Sequence, residues 1–233
     1  MNYGHSLLKI FSAIGLILTL GISMNAEAGL FGFGGTSWKE EVLLHDGSKI
    51  IVERSLERGG RHEIGQPSGV TNETLTFTMP GTYQTLTWYD KYSDDILSSN
   101  FNLMMLEVFK GSAYLVASPK SCLSYGKWGR PNPPYLVFKH QGQDWLRIPL
   151  QELPAELVMP NLIQSSPDSV AKKTGESIVS AETIKKLREK PGYRPPETKT
   201  ILREPLTSEW CQQPTSFKAP IPIPPRDESE KTK

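Results

Sequence analysis

The stretch 128-WGRPNPPYLVFKHQGQDWLRIPL-150 decides the fold class. A proline-stiffened lead-in, Arg130 to Pro134, opens onto two apolar runs around Gln141-Gly142. With those two residues as the turn, Lys139 faces Asp144, Phe138 faces Trp145 and Val137 faces Leu146. An opposite-charge pair, an aromatic pair and an aliphatic pair are each favourable across antiparallel strands. The stretch reads as a β-hairpin.

Three upstream segments read the same way. Glu40 to Arg54 turns on Asp46-Gly47, a dipeptide that tolerates positive φ at both positions and suits a two-residue type I′ turn. That register pairs Leu44 with Lys49, Leu43 with Ile50 and Val42 with Ile51. It leaves apolar residues on both faces and predicts a central hairpin covered on both sides. Thr74 to Tyr89 is cleaner: Leu75, Phe77 and Met79 alternate with Thr74, Thr76 and Thr78. A loop from Pro80 to Tyr83 sets Phe77 opposite Leu86 and Leu75 opposite Trp88, a register that a one-residue slip would turn inside out. Leu103 to Ser118 has nearly continuous apolar arms around Lys110-Gly111-Ser112-Ala113, which predicts burial on both faces. The long polar connection Ser55 to Glu73 separates the first two hairpins. Together the segments predict a mainly β domain, with antiparallel hairpins forming a sandwich or a curled sheet and partial barrel.

After Leu150 the pattern changes to short C-terminal helices within about residues 166–190. Ser166 and Pro167 suit a helix start that runs to Gly175. Ser180 caps a second helix, Ala181 to Lys190, stopped by Pro191-Gly192. The segment 198-TKTILRE-204 predicts one more strand. Residues 214–233 are proline-rich and then charged, and are expected to be disordered.

The other end reads as a signal peptide over residues 1–28. Lys9 is the positive n-region, Ile10 to Ile22 the apolar h-region and Ala26-Glu27-Ala28 the cleavage site. The apolar core is well short of the ~20 residues that span a bilayer. The mature chain then starts at Gly29, with a flexible glycine-rich entry over 29–37 and a single β-rich domain over 38–213. It is expected in the periplasm or outside the cell, touching a membrane only through the uncleaved leader. Cys122 and Cys211 are the two cysteines, and an exported chain most simply joins them in a disulfide.

Composition and motifs exclude several chemistries. A net charge of +1 leaves no basic footprint for nucleic acid. His45 and His140 fall at hairpin turns, and His62-Glu63 lacks a second histidine four residues on, so no metal or cofactor is expected. No Gly-x-Ser-x-Gly elbow and no phosphate loop is present. Glu40-Glu41 and Asp94-Asp95 are adjacent, point to opposite faces of a strand and read as solvated charge. No catalytic residue is assigned. Two patches remain as candidate ligand sites. One is Arg61, His62 and Glu63 on the glycine-hinged loop 59–65, whose plainer reading is a mobile loop. The other is Tyr125, Trp128 and Arg130 on the proline-stiffened loop, whose plainer reading is a rigid connector with Trp128 covering the sheet. Aromatic residues with arginine are the composition of binding hot spots.

The run 38-WKEEVLLHDGSKIIVERSLERGGRHEIGQ-66, with KWGRPNPPYLVFK and WLRIPLQELPAEL, resembles a group of uncharacterised exported proteins of Gram-negative bacteria over most of residues 38–204. The group has no assigned activity, so the resemblance implies export and a common fold and transfers no catalytic residue. The reading is a non-enzymatic periplasmic binding or accessory protein, whose partner is an unknown protein or envelope component. One alternative is a hydrolase acting on an envelope or carbohydrate substrate through His62 and Glu63. Another is a protein that docks partners through its proline-rich tail.

Overall fold

Strict alternation on Leu75, Phe77, Leu86 and Trp88 forces one face of a sheet inward, and the chain supplies a second sheet to meet it. The computed structural model describes residues 35–59, 68–190 and 195–211. The first sheet is the meander β1 (Gly35–Leu43), β2 (Lys49–Gly59), β3 (Gly69–Thr78) and β4 (Thr85–Asp90). The second is the meander β5 (Phe101–Phe109), β6 (Ser112–Pro119), β7 (Leu136–Gln141) and β8 (Asp144–Ile148). All pairings are antiparallel and neither sheet closes on itself, so the fold is a sandwich and not a barrel. Between the sheets lie Val42, Val52, Leu75, Phe77, Leu86 and Trp88 from the first and Phe101, Leu103, Leu106, Leu115, Leu136 and Phe138 from the second. The helices are α1 (Cys122–Lys127), α2 (Pro167–Thr174), α3 (Ala181–Glu189) and α4 (Pro196–Lys199).

The β3–β4 register is the expected one, Phe77 to Leu86 and Leu75 to Trp88. The first hairpin is displaced by one residue: Leu43 faces Lys49 and Val42 faces Ile50. Its loop takes in His45 as well as Asp46 and Gly47, with the Leu44 N–H bonded to Ser48 O and the Gly47 N–H to Leu44 O. Only Gly47 has positive φ, +85°, so the turn is a three-residue loop with glycine in the left-handed position and not type I′. Its faces differ accordingly from the expected two-sided cover. Val42 and Val52 are buried, while Leu43 and Ile51 are exposed on the outer face, and β1 is an edge strand. Strand structure also begins earlier than Trp38, because Gly35 to Ser37 extend the ladder against Glu57 to Ser55.

The second sheet is buried on both faces, as its continuous apolar arms require. A bulge at Met104 turns both Met104 and Met105 to the outer side, where they pack with Tyr114, Val116 and Val137 under Leu153, Leu157 and Ile201. The β5–β6 turn is two residues, Lys110-Gly111, both at positive φ, and not the four-residue loop expected. In the last hairpin Gln141 faces Asp144, with Gly142 and Gln143 between them. Phe138 therefore faces Arg147 instead of Trp145, a shift of two residues that preserves which side chains share a face.

The helical segment docks on β1. Val179 bridges its edge, through Glu41 N to Val179 O (2.8 Å) and Val179 N to Lys39 O (2.9 Å). Ser180 caps α3 through its side chain, while Ser166 sits at φ 47° and makes no such bond at the start of α2. Beneath the bridge lies an almost fully buried charge triad. Arg54, 0 % exposed, bonds Glu40 (2.7 Å), Glu73 (2.5 Å) and the Ile163 carbonyl (2.8 Å). Burial alone would lower the Arg54 pKa, but Glu40 and Glu73 outweigh it and hold the group above its ordinary value. Glu40, which reads from sequence as solvated charge, also accepts from the Trp38 indole (2.6 Å) and the Ile163 N–H (3.1 Å).

The expected strand over 198–204 does not form. Pro196 begins α4, and the chain beyond runs irregularly across the outer face of the second sheet, with the Ile201 N–H on Val158 O (2.8 Å). It then returns to α1, where Cys211 is joined to Cys122 with their Cα atoms 5.7 Å apart.

Two stability predictions follow from these contacts. Arg54→Met strands two buried carboxylates and should cost about 3–5 kcal/mol in urea unfolding at neutral pH. Adding Glu40→Gln and Glu73→Gln should recover most of it, and a single-variant loss under about 1 kcal/mol would show that the triad is not buried in solution. Reduction of the disulfide reopens a loop of 89 residues, for which chain entropy sets an upper figure of about 4.5 kcal/mol. Hydrogen exchange should then quicken over residues 200–211 before the strands, and uniform exchange would contradict this order.

Candidate functional site

The proline-stiffened loop becomes part of a seam. Ser121 caps α1 by accepting from the Ser124 N–H, and the helix sets Tyr125 inward, 4 % exposed and 5.2 Å from the Trp210 ring. Trp128 packs on Phe101 at 4.8 Å and donates its indole N–H to Asn100 Oδ1 at 3.0 Å. Arg130 pairs with Glu209 at 2.7 Å, and Asn132 exchanges bonds with the backbone of Leu206. Tyr125, Trp128 and Arg130 thus lie together, but Tyr125 and Arg130 are engaged with the segment that Cys211 ends. Arg61, His62 and Glu63 fall outside the described residues.

Beside the seam opens a cleft of about 950 Å³. Its walls are Pro131 to Pro133 with Tyr135, the run Arg147 to Ala155 and Arg203 to Pro205. Arg203 builds one wall. Its guanidinium donates to the carbonyls of Leu150 (3.1 Å), Leu153 (2.9 Å), Pro154 (2.8 Å) and Leu157 (3.1 Å), which holds an irregular turn in place without a ladder. Tyr135 closes the floor: its hydroxyl donates to Glu197 O (2.8 Å), and burial pushes its pKa up to about 12.

Arg147 is different. Its guanidinium lies 5.7 Å from the Trp128 ring centroid and, among the described residues, makes one hydrogen bond, to Trp128 O at 3.3 Å. Among the described residues no carboxylate lies within ion-pair distance of it. Burial lowers its pKa, and no neighbouring charge opposes that shift. A half-buried cation beside a largely apolar cleft has the chemistry to pair with an anion, although Glu152 and Glu204 line the same cleft. Sequence reading missed Arg147 and Arg203. The available signal was an arginine within an apolar strand two residues before a proline, in WLRIPLQELP.

Two further polar clusters lie at the ends of the sandwich. Glu107, 3 % exposed, accepts from the His45 N–H (3.2 Å), from Asn161 Nδ2 (3.3 Å) and shares a bond with His45 Nδ1 (3.1 Å). Burial raises the Glu107 pKa. The carboxylate orients the imidazole as a base would be oriented, but among the described residues no hydroxyl or thiol is hydrogen-bonded to that ring. The contact that emerges is a tie between the first turn and β5. Asp90 ends β4 and receives Asn100 N (2.7 Å), Asn100 Nδ2 (2.7 Å) and Phe101 N (2.8 Å), fastening the crossover to the second sheet.

Burial pushes the Asp90 carboxyl up to about 6 in spite of those three donors. Its unfolded value is the ordinary 3.8, so the folded protein holds this proton more tightly. The group therefore favours folding below pH 4 and progressively loses that contribution as pH rises through 6, a change of roughly 2–3 kcal/mol. The Asp90 carboxyl resonance should titrate near 6, and the stability difference between wild type and Asp90→Asn should shrink across this window. A midpoint below 4 would show that the donors outweigh burial.

No protein-family model, no curated protein and no solved structure matches the chain.

Proposed function

We propose that the protein is an exported, non-enzymatic periplasmic binding or accessory protein whose ligand sits in the cleft lined by Pro131–Pro133, Tyr135, Arg147–Ala155 and Arg203–Pro205. The observation that carries this reading is Arg147, which lines a preformed, largely apolar cavity and whose half-buried guanidinium has no carboxylate within ion-pair distance among the described residues. Sites of this size with few placed polar groups are the usual form of a ligand pocket. The leader-like residues 1–28 and the Cys122–Cys211 disulfide support export to an oxidising compartment.

The test combines location with binding. Protein from the native host should begin at Gly29 and leave the cell with the periplasmic fraction. Immobilised through a surface amine, it should retain a defined envelope component. Ala155→Trp, which places a bulky ring on the cleft wall, should weaken that retention by about tenfold or more. Equal retention by both forms would remove the cleft from the function.

A further inference from the structure

The outermost strands of the two sheets have different fates. β1 carries the Val179 bridge along its edge. On β5, Met104 O accepts from Asn161 N and Leu162 N, both at 3.1 Å, and the Asn161 amide holds Leu106 N (2.9 Å) and Leu106 O (2.8 Å). On β4, Thr87 O accepts the Trp145 indole N–H at 3.0 Å. β8 gives that bond through the Trp145 side chain, but among the described residues no group is bonded to its own outward backbone. The two-residue turn makes Gln141 and Asp144 a hydrogen-bonded pair, and alternation then puts Lys139–Leu146 and Val137–Ile148 in the ladder. The backbone N–H and C=O groups of Trp145 and Arg147 consequently point away from β7. Among the described residues nothing is bonded to them.

An open strand edge is a template for another chain. The cleft begins where β8 ends, since Arg147 and Ile148 belong to both. Three features therefore meet at one place: a short edge of backbone donors and acceptors, an arginine that no carboxylate among the described residues pairs with, and walls that are largely apolar apart from Glu152, Arg203 and Glu204. A small anion would answer only the arginine. A second copy laid edge to edge would bring two Arg147 guanidinium groups to the same short edge, where like charges oppose pairing. An extended acidic peptide answers all three.

We infer that β8 is a strand-addition site for an extended polypeptide segment of a partner. Its backbone pairs with Trp145 and Arg147, an acidic side chain lies against the Arg147 guanidinium, and an apolar side chain enters the cleft. Backbone bonds then provide affinity, and the charge and the cavity provide selectivity. This rests on the binding reading of the cleft and narrows it to a polypeptide.

The probe is a library of peptides of about ten residues, with one fixed aspartate among randomised β-branched and aromatic positions, selected on the disulfide-bonded protein. N-methylation of a selected peptide at alternate residues should weaken binding about tenfold or more, and methylation at the intervening residues should do far less. Changing the peptide aspartate to asparagine, or the protein by Arg147→Gln, should each weaken binding about tenfold, with little further loss when combined. Amide exchange at Trp145 and Arg147 should slow in the complex. Failure of the library to yield a binder, or methylation effects without a period of two, would overturn strand addition. If envelope components protect residues 131–135 and 203–205 while the β8 amides exchange unchanged, the cleft binds a ligand of another kind; the binding reading then stands and strand addition does not. A concentration-dependent dimer that Arg147→Gln strengthens would assign the edge to a second copy and equally overturn the inference.

Discussion

The second sheet is apolar on both faces, and that constraint organises the chain after Leu150. One face meets the first sheet. The other presents Met104, Met105, Tyr114, Val116 and Val137, which would otherwise stand in water at a cost of about 25 cal/mol per Å². The chain covers them with irregular backbone, Leu153, Leu157 and Ile201 being the residues pressed down. Irregular backbone lacks ladder partners, so side chains supply them. Arg203 takes four carbonyls, the Tyr135 hydroxyl takes Glu197 and Thr200, and the Asn161 amide joins Leu43 to Leu106 across the two sheets. The disulfide fixes the far end of this cover to α1. The cleft lies where the covering segments fail to meet over the end of the last hairpin.

What was legible in the sequence follows how local the cause is. The β3–β4 register was readable because its alternation is clean and only one register buries the apolar set. The caps of α3 and the glycine that ends α2 are signals within a few residues of the helices they bound. The first hairpin was misread by one residue because Leu43, Leu44, Ile50 and Ile51 are apolar in either register, so nothing in the strands corrected the turn. Lys139, Leu146 and Trp145 slipped by two for the milder reason that such a slip changes partners and not faces.

The candidate site was less legible because its parts come from distant segments. Arg203 acts on carbonyls about fifty residues away, and a carbonyl has no sequence signature. Glu40 looks like any strand carboxylate until Arg54, Glu73 and Ile163 close around it. Tyr125 and Arg130 drew notice by their chemistry, but the residues that engage them, Trp210 and Glu209, are brought there by the disulfide-linked return of the chain.

The arginines show why type alone does not assign a role. Arg54 is enclosed by two carboxylates and a carbonyl, and Arg58 reaches Asp168 at 2.7 Å and Ser68 O at 3.2 Å. Arg203 has four carbonyls. Each of these groups fastens elements that lie far apart in the chain, although the buried Nε atoms of Arg54 and Arg203 have no hydrogen-bond partner among the described residues. Arg147 fastens nothing comparable: among the described residues it has one long bond to Trp128 O and the face of the Trp128 ring, and no carboxylate within ion-pair distance. Desolvating a cation without a partner opposes folding, whereas the same cation met by an anion does not. On the proposed function, a ligand that supplies the anion relieves that cost. Binding and stability are then linked by mass action. The linkage acts first on the wall that Arg203 holds, because Arg203 orders the same cavity that the ligand must fill.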